Sequence, residues 1–134
     1  MSKLKVLYAE NQPLAIKGLN QILFDNNIVK NFYSVSESGL IDSGIIAYEP
    51  DLFIIDYGQK DFFSISDIEK ITKNYPNINI LVISNEISVI QVKKVLELGV
   101  HGFITRQSNA DEILLAIKKI VKGEKYFCSG IIEI

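Results

Sequence analysis

Two periods alternate along the chain. Short runs of apolar and β-branched residues are each followed by a longer stretch in which apolar residues return every three or four positions, the marks of strand and amphipathic helix. Leu4-Lys5-Val6-Leu7-Tyr8 predicts a first strand, and Pro13, whose missing N–H costs nothing at a helix start, opens a helix carrying Ala15, Leu19, Ile22 and Leu23 as far as Asn26-Asn27. Residues 29–35 alternate as a second strand. Ser36 is the expected cap of a second helix reaching about Tyr48, weakened by Gly39 and Gly44 and stopped by Glu49-Pro50. Leu52-Phe53-Ile54-Ile55 is apolar at every position, as expected of a strand covered on both faces. A loop from Asp56 to Phe63 leads to a helix capped by Ser64 or Ser66 and running through Tyr75. Residues 78–83 predict a fourth strand, and Ser88 begins a helix holding Val89, Val92, Val95 and Leu96 that stops at Gly99. Phe103-Ile104-Thr105 predicts a short fifth strand. Asn109 with Glu112 predicts a capping box for a last helix, whose core stripe is Ile113, Ala116, Ile117, Ile120 and Val121 and whose end is Gly123.

Five βα units in succession imply a parallel sheet with right-handed crossovers. The 134 residues suit an open, doubly wound sheet, since a closed eight-fold barrel needs about 200 or more. In an open sheet ligands bind beyond the carboxyl ends of the strands. That edge gathers Glu10, Asn11 and Gln12 after strand one and Asp56, Tyr57 and Gly58 after strand three. Ser84 and Asn85 follow strand four, and Thr105 and Arg106 follow strand five.

Composition narrows the class further. A hydrophobic fraction of 48% with 22% charged residues is ordinary for one globular domain, and excludes a disordered chain, a collagen or a coiled coil. No apolar run approaches the roughly 18 residues of a membrane span. The opening residues read as a strand and not as a signal peptide. The formal net charge of -2 argues against a nucleic-acid surface within this chain. A lone cysteine, Cys128, makes no internal disulfide, which with the missing leader suggests the cytoplasm.

Two acidic groups, a hydroxyl and a cation on one edge have a definite chemistry. Oxygen donors of this kind suit a hard divalent ion such as Mg²⁺, and a carboxylate there can act as a nucleophile toward phosphorus. A nearby cation and hydroxyl can hold the remaining phosphoryl oxygens.

The residues at those strand ends carry a resemblance. The stretches 6–14 (VLYAENQPL), 50–56 (PDLFIID), 80–84 (ILVIS), 98–106 (LGVHGFITR) and 122–127 (KGEKYF) stand in the order found in receiver domains of two-component response regulators. The chain resembles that family over essentially its full length, and the NarL/FixJ type most. The resemblance implies a flavodoxin-like (βα)5 fold, its five parallel strands ordered 2-1-3-4-5. It implies that Asp56 accepts a phosphoryl group from a sensor histidine kinase or phosphotransfer protein. Glu10, Asn11, Asp56 and the carbonyl of Gly58 would then surround Mg²⁺, Ser84 would be the switch hydroxyl, and Phe103 matches the aromatic switch position. Arg106 stands where the family has lysine, Asn11 where it has a second acid, and Lys60 where it has proline. Loss of one negative charge at Asn11 weakens the expected Mg²⁺ site.

The expectation is a signalling domain and not an enzyme: residues 1–124 as the receiver and 125–134 as a tail or the start of a linker to an output domain. In that family the switched surface often mediates a homodimer, and DNA is expected to be reached only through an output domain outside this chain, as part of a transcription regulator. No membrane contact is expected. The three departures also fit a degenerate receiver acting as a phosphorylation-independent dimerisation or partner-binding module. A flavin protein is disfavoured, because Glu10-Asn11-Gln12-Pro13 lacks the glycines and hydroxyls of a phosphate-binding turn. An aspartate-nucleophile phosphatase is disfavoured because Gly58 replaces the second aspartate. His101, in a turn before strand five, is read as structural.

Overall fold

The computed structural model describes residues 2–85 and 88–133. Its strands are β1 (Leu4–Ala9), β2 (Val29–Val35), β3 (Leu52–Ile55), β4 (Asn79–Ile83), β5 (Gly102–Ile104) and β6 (Tyr126–Phe127). The helices are α1 (Pro13–Asp25), α2 (Ile41–Tyr48), α3 (Ile65–Asn74), α4 (Val89–Glu97), α5 (Ala110–Val121) and the single-turn α6 (Ser129–Ile132). A 3₁₀ turn, Ser38–Leu40, precedes α2. All strand pairs are parallel and the order is β2-β1-β3-β4-β5-β6. The doubly wound α/β class and the order of the first five strands agree with the sequence reading.

Burial explains why the sheet sits at the centre. β3 is buried at every position, as its unbroken apolar run requires, and Val6, Leu7, Leu81 and Val82 have no exposed surface. α2 lies close against this sheet because Gly44 has no side chain: a Cβ there would stand 3.1 Å from Val35 Cγ1 and 3.4 Å from Leu7 Cδ2. The residue that weakens the helix is therefore the one that lets it pack.

Several elements differ from expectation. Ser36 does not cap α2. The chain enters that helix through the 3₁₀ turn, with Leu40 at the cap position and no side-chain cap hydrogen bond. At α3 the cap is Ser64, whose backbone N–H donates to Asp67 at 2.8 Å. β5 begins one residue early, at Gly102, where a Cβ would stand 2.8 Å from Ile120 and 2.9 Å from Leu81, so α5 can approach only over a bare backbone. At the start of α5, Asn109 accepts from the Glu112 N–H at 2.9 Å. The Glu112 carboxylate does not complete the capping box and instead accepts the Tyr126 hydroxyl at 2.9 Å.

That last bond belongs to the sixth strand, where five were expected. The Tyr126 N–H donates to His101 O and the Cys128 N–H to Phe103 O. α6 then buries Ile131, and Cys128 is buried beside it. The apolar character of Cys128 and Ile131 follows from this docking, whereas Ile132 stays exposed. Met1 and Ile134, the outer ends of the two expected segments, lie outside the described residues. No helix among the described residues is long and apolar enough to cross a membrane.

Candidate functional site

β1, β3, β4 and β5 all point their carboxyl ends to one edge, and Glu10, Asp56, Ser84 and Arg106 follow them directly or within two residues. Three of these polar residues are almost wholly enclosed: Glu10 is 0% exposed, Ser84 1% and Asp56 4%. A buried carboxylate needs charge pairing and hydrogen bonds to remain ionised. Both carboxylates have them.

Asp56 is held from two sides. Its Oδ1 accepts the Gly58 N–H at 2.8 Å, closing the turn after β3, and its Oδ2 accepts Arg106 Nε at 2.6 Å. Glu10 is held more fully. Its Oε2 accepts the backbone N–H groups of Asn11 (3.1 Å) and Gln12 (3.0 Å), while its Oε1 accepts the Tyr8 hydroxyl (3.2 Å) and a terminal nitrogen of Arg106. One guanidinium thus spans both acids. Burial opposes its charge, but the hydrogen bonds and charges of Asp56 and Glu10 outweigh burial and raise its pKa still further. The Tyr8 hydroxyl is held well above the ordinary tyrosine range, first by burial and then by the charge on Glu10.

Gly58 is where the site becomes tight. A Cβ at that position would stand 3.0 Å from Asp56 Oδ1 and 3.2 Å from Ser84 Oγ. Backbone, acid and hydroxyl converge there, on an open cleft of about 380 Å³ that Asp56, Gly58, Ser84 and Arg106 border together with Gln59 and Asn85. Of the residues singled out from sequence, the fold brings Glu10, Asp56, Gly58, Ser84 and Arg106 into this one cluster. Asn11 contributes its backbone N–H, which donates to Glu10 and also reaches Gln59 Oε1 at 3.3 Å. Phe103 lies fully buried behind the site, edge-on to Tyr57 with ring centroids 6.0 Å apart. His101 lies at the other end of β5, where its Nδ1 accepts the Ile80 N–H at 3.0 Å.

Two contributors did not stand out in the sequence, and a third, Asn85, was marked only by its place after strand four. Tyr8 reads as a packing residue, yet it is two positions before Glu10 and strand alternation puts both on one side. Gln59 ties the loop down, its Nε2 donating to Asp56 O at 3.1 Å. Asn85 fixes the approach of the cation, its Oδ1 accepting the Arg106 N–H at 3.0 Å. No spacing rule signals Gln59, and the strand-end position of Asn85 does not tell its partner.

The donor set, as it stands with Arg106 in place, argues against a shared divalent ion. Each carboxylate oxygen of Glu10 and Asp56 already accepts a hydrogen bond, and the position shared between the two acids is taken by a guanidinium. Asn11 adds no charge. Among the described residues no group of three or more His, Cys, Asp or Glu side chains could hold one ion. The residues present do not fit Mg²⁺ while Arg106 stands there.

No family model matches the chain. It is similar to the transcriptional regulatory protein MctR of Rhizobium johnstonii, at 28% identity over 98% of this chain and 61% of that protein. It is also similar to the response regulator protein VraR of Staphylococcus saprophyticus, at 26% identity over 92% of this chain and 59% of that one. The chain thus spans about three-fifths of the length of these relatives. Its fold matches the isolated receiver (REC) domain of RcsB from Salmonella enterica serovar Typhimurium, solved with the phosphomimetic BeF3⁻, at a TM-score of 0.88, 19% identity and 98% coverage of each chain. Likeness of sequence to response regulators and likeness of fold to a receiver domain coincide over nearly the whole chain.

Proposed function

We propose that the domain receives its signal at Asp56, by accepting a phosphoryl group from a sensor histidine kinase or phosphotransfer protein. The observation that supports this reading most is the convergence of Asp56, Ser84, Gly58 and Arg106 on one open cleft at the carboxyl edge of the sheet. An oxygen of the Asp56 carboxylate attacks phosphorus, the bond from phosphorus to the donor's imidazole nitrogen breaks, and its electron pair leaves with that nitrogen. The product is an acyl phosphate carrying more negative charge than the carboxylate it replaces. Arg106 supplies the opposing charge through a fork of N–H donors, and the Ser84 hydroxyl donates to a phosphoryl oxygen. Moving Arg106 onto the new group draws it from Glu10, so the phosphoryl charge competes directly with a contact that holds the resting state.

The output is a protein surface: a homodimer or partner contact altered by that rearrangement. DNA is reached through an output domain in a longer regulator of transcription, and the location is cytoplasmic. A second reading, a phosphorylation-independent interaction module, is favoured by the Arg106 bridge, which neutralises much of the pocket with no phosphoryl group present.

Intact-mass spectrometry after incubation with acetyl phosphate and Mg²⁺ separates the two. The expected result is one added phosphoryl group on the wild type and none on Asp56→Asn. No added group on either protein overturns the phosphoryl-acceptor reading and leaves the second.

A further inference from the structure

We propose that Arg106 is the resident cation of the acidic pocket and excludes a divalent ion from the place where Glu10 and Asp56 converge. The inference deepens the signalling reading but does not depend on phosphoryl transfer. It rests on three observations. The guanidinium donates Nε to Asp56 and a terminal nitrogen to Glu10, so one planar fork does what a shared metal ion would do. Glu10 has no free carboxylate oxygen to offer, because Oε2 is capped by the Asn11 and Gln12 N–H groups and Oε1 by Tyr8 and Arg106. The residue after Glu10 is the neutral Asn11, so the two acids and one arginine leave a single net negative charge.

A hard dication needs more than that. Mg²⁺ gives up its waters reluctantly and is held by carboxylate charge. To enter here it must strip Arg106 from both acids and leave a half-buried guanidinium without partners. The Asn85 side chain, accepting the Arg106 backbone N–H, anchors the arginine in the inward position. Sequence and geometry therefore agree on one exchange: a negative charge is absent after β1, and a positive charge is built in after β5.

The test is a cation titration with Mn²⁺ as the probe, read by its electron paramagnetic resonance signal, with Mg²⁺ as competitor. Wild type, Arg106→Gln and Arg106→Lys are compared, each checked for its fold by circular dichroism. Arg106→Gln is expected to bind Mn²⁺ at least about tenfold more tightly than wild type, about 1.4 kcal/mol. Adding Glu10→Gln to that variant should remove the gain, which assigns the ion to this pocket. Arg106→Lys keeps the charge but cannot span two carboxylates with one ammonium, so it too should gain affinity if the glutamine variant fails to fold. Equal affinity in wild type and the folded variants overturns the proposal, as does saturable wild-type binding that Glu10→Gln abolishes. The titration scores no phosphorylation, so this inference and the phosphoryl-acceptor reading fail separately.

Discussion

Glu10 carries an unusual load for one side chain. It is fully buried and accepts from Tyr8, Arg106 and two backbone N–H groups; its removal orphans the Tyr8 hydroxyl and the Gln12 N–H and leaves Arg106 with Asp56 alone. Breaking one side of a buried charged pair costs about 3–5 kcal/mol. Glu10→Ala is therefore expected to lose stability on that scale in urea denaturation. Tyr8→Phe removes a single neutral donor from the same carboxylate and should cost about 0.5–1.5 kcal/mol. A Glu10→Ala loss no larger than that of Tyr8→Phe would show that the acid is not the node described. Much of this cluster was legible beforehand, because Glu10, Asp56 and Ser84 stand at strand ends that the apolar runs mark plainly. The double reach of Arg106 was not. It joins Asp56 at a separation of 50 residues and Glu10 at 96, and no local period encodes such a contact.

Among the elements, β5 and α5 are joined where a side chain is missing. Any Cβ at Gly102 runs into Ile120, Leu81 and the Tyr126 carbonyl. Overpacking of this kind typically costs 1–3 kcal/mol, so Gly102→Ala should unfold at correspondingly lower denaturant with an unchanged slope. The same strand is tied to β4 by His101, whose Nδ1 must be unprotonated to accept the Ile80 N–H. Burial, and then the charge of Lys125, lower its pKa from the ordinary 6.5. A depressed histidine pKa means the unfolded chain binds the extra proton first. Stability is then full above about 6.5 and is lost as the pH falls through the lowered folded value. Thermal melts from pH 8 to 5 should show this loss in wild type and a smaller one in His101→Gln, and parallel curves would contradict it. The helices with strong apolar stripes were foreseeable to within a residue or two. α2 was harder, because Gly44 lowers helix propensity locally while serving close packing against Leu7 and Val35.

At the scale of the whole molecule, the sheet is longer than its βα count suggests. β6 is only two residues long, too short for any periodic signal to mark it. Its backbone bonds to β5, together with the burial of Cys128 and Ile131, make it a cover for an otherwise open edge. Ending the chain at Glu124 should cost roughly 2–4 kcal/mol, the scale of losing two buried side chains and an edge pairing. A truncated protein with an unchanged melting temperature would contradict this. What the molecule keeps from the receiver pattern is an acid at the end of a buried central strand, with a hydroxyl and a cation beside it. What it changes is that cation, an arginine in place of the family's lysine, which bridges Glu10 and Asp56 at once.

The most direct test combines that acid and that cation in one reaction. Phosphoryl incorporation from acetyl phosphate is followed by intact mass, on wild type and Asp56→Asn, with Mg²⁺ and with a chelator. The expected result is a single phosphoryl group on wild type, formed in chelator as well as in Mg²⁺, and none on Asp56→Asn. Incorporation that requires Mg²⁺ would contradict the role given to Arg106, and incorporation that survives in Asp56→Asn would contradict the role given to the acid.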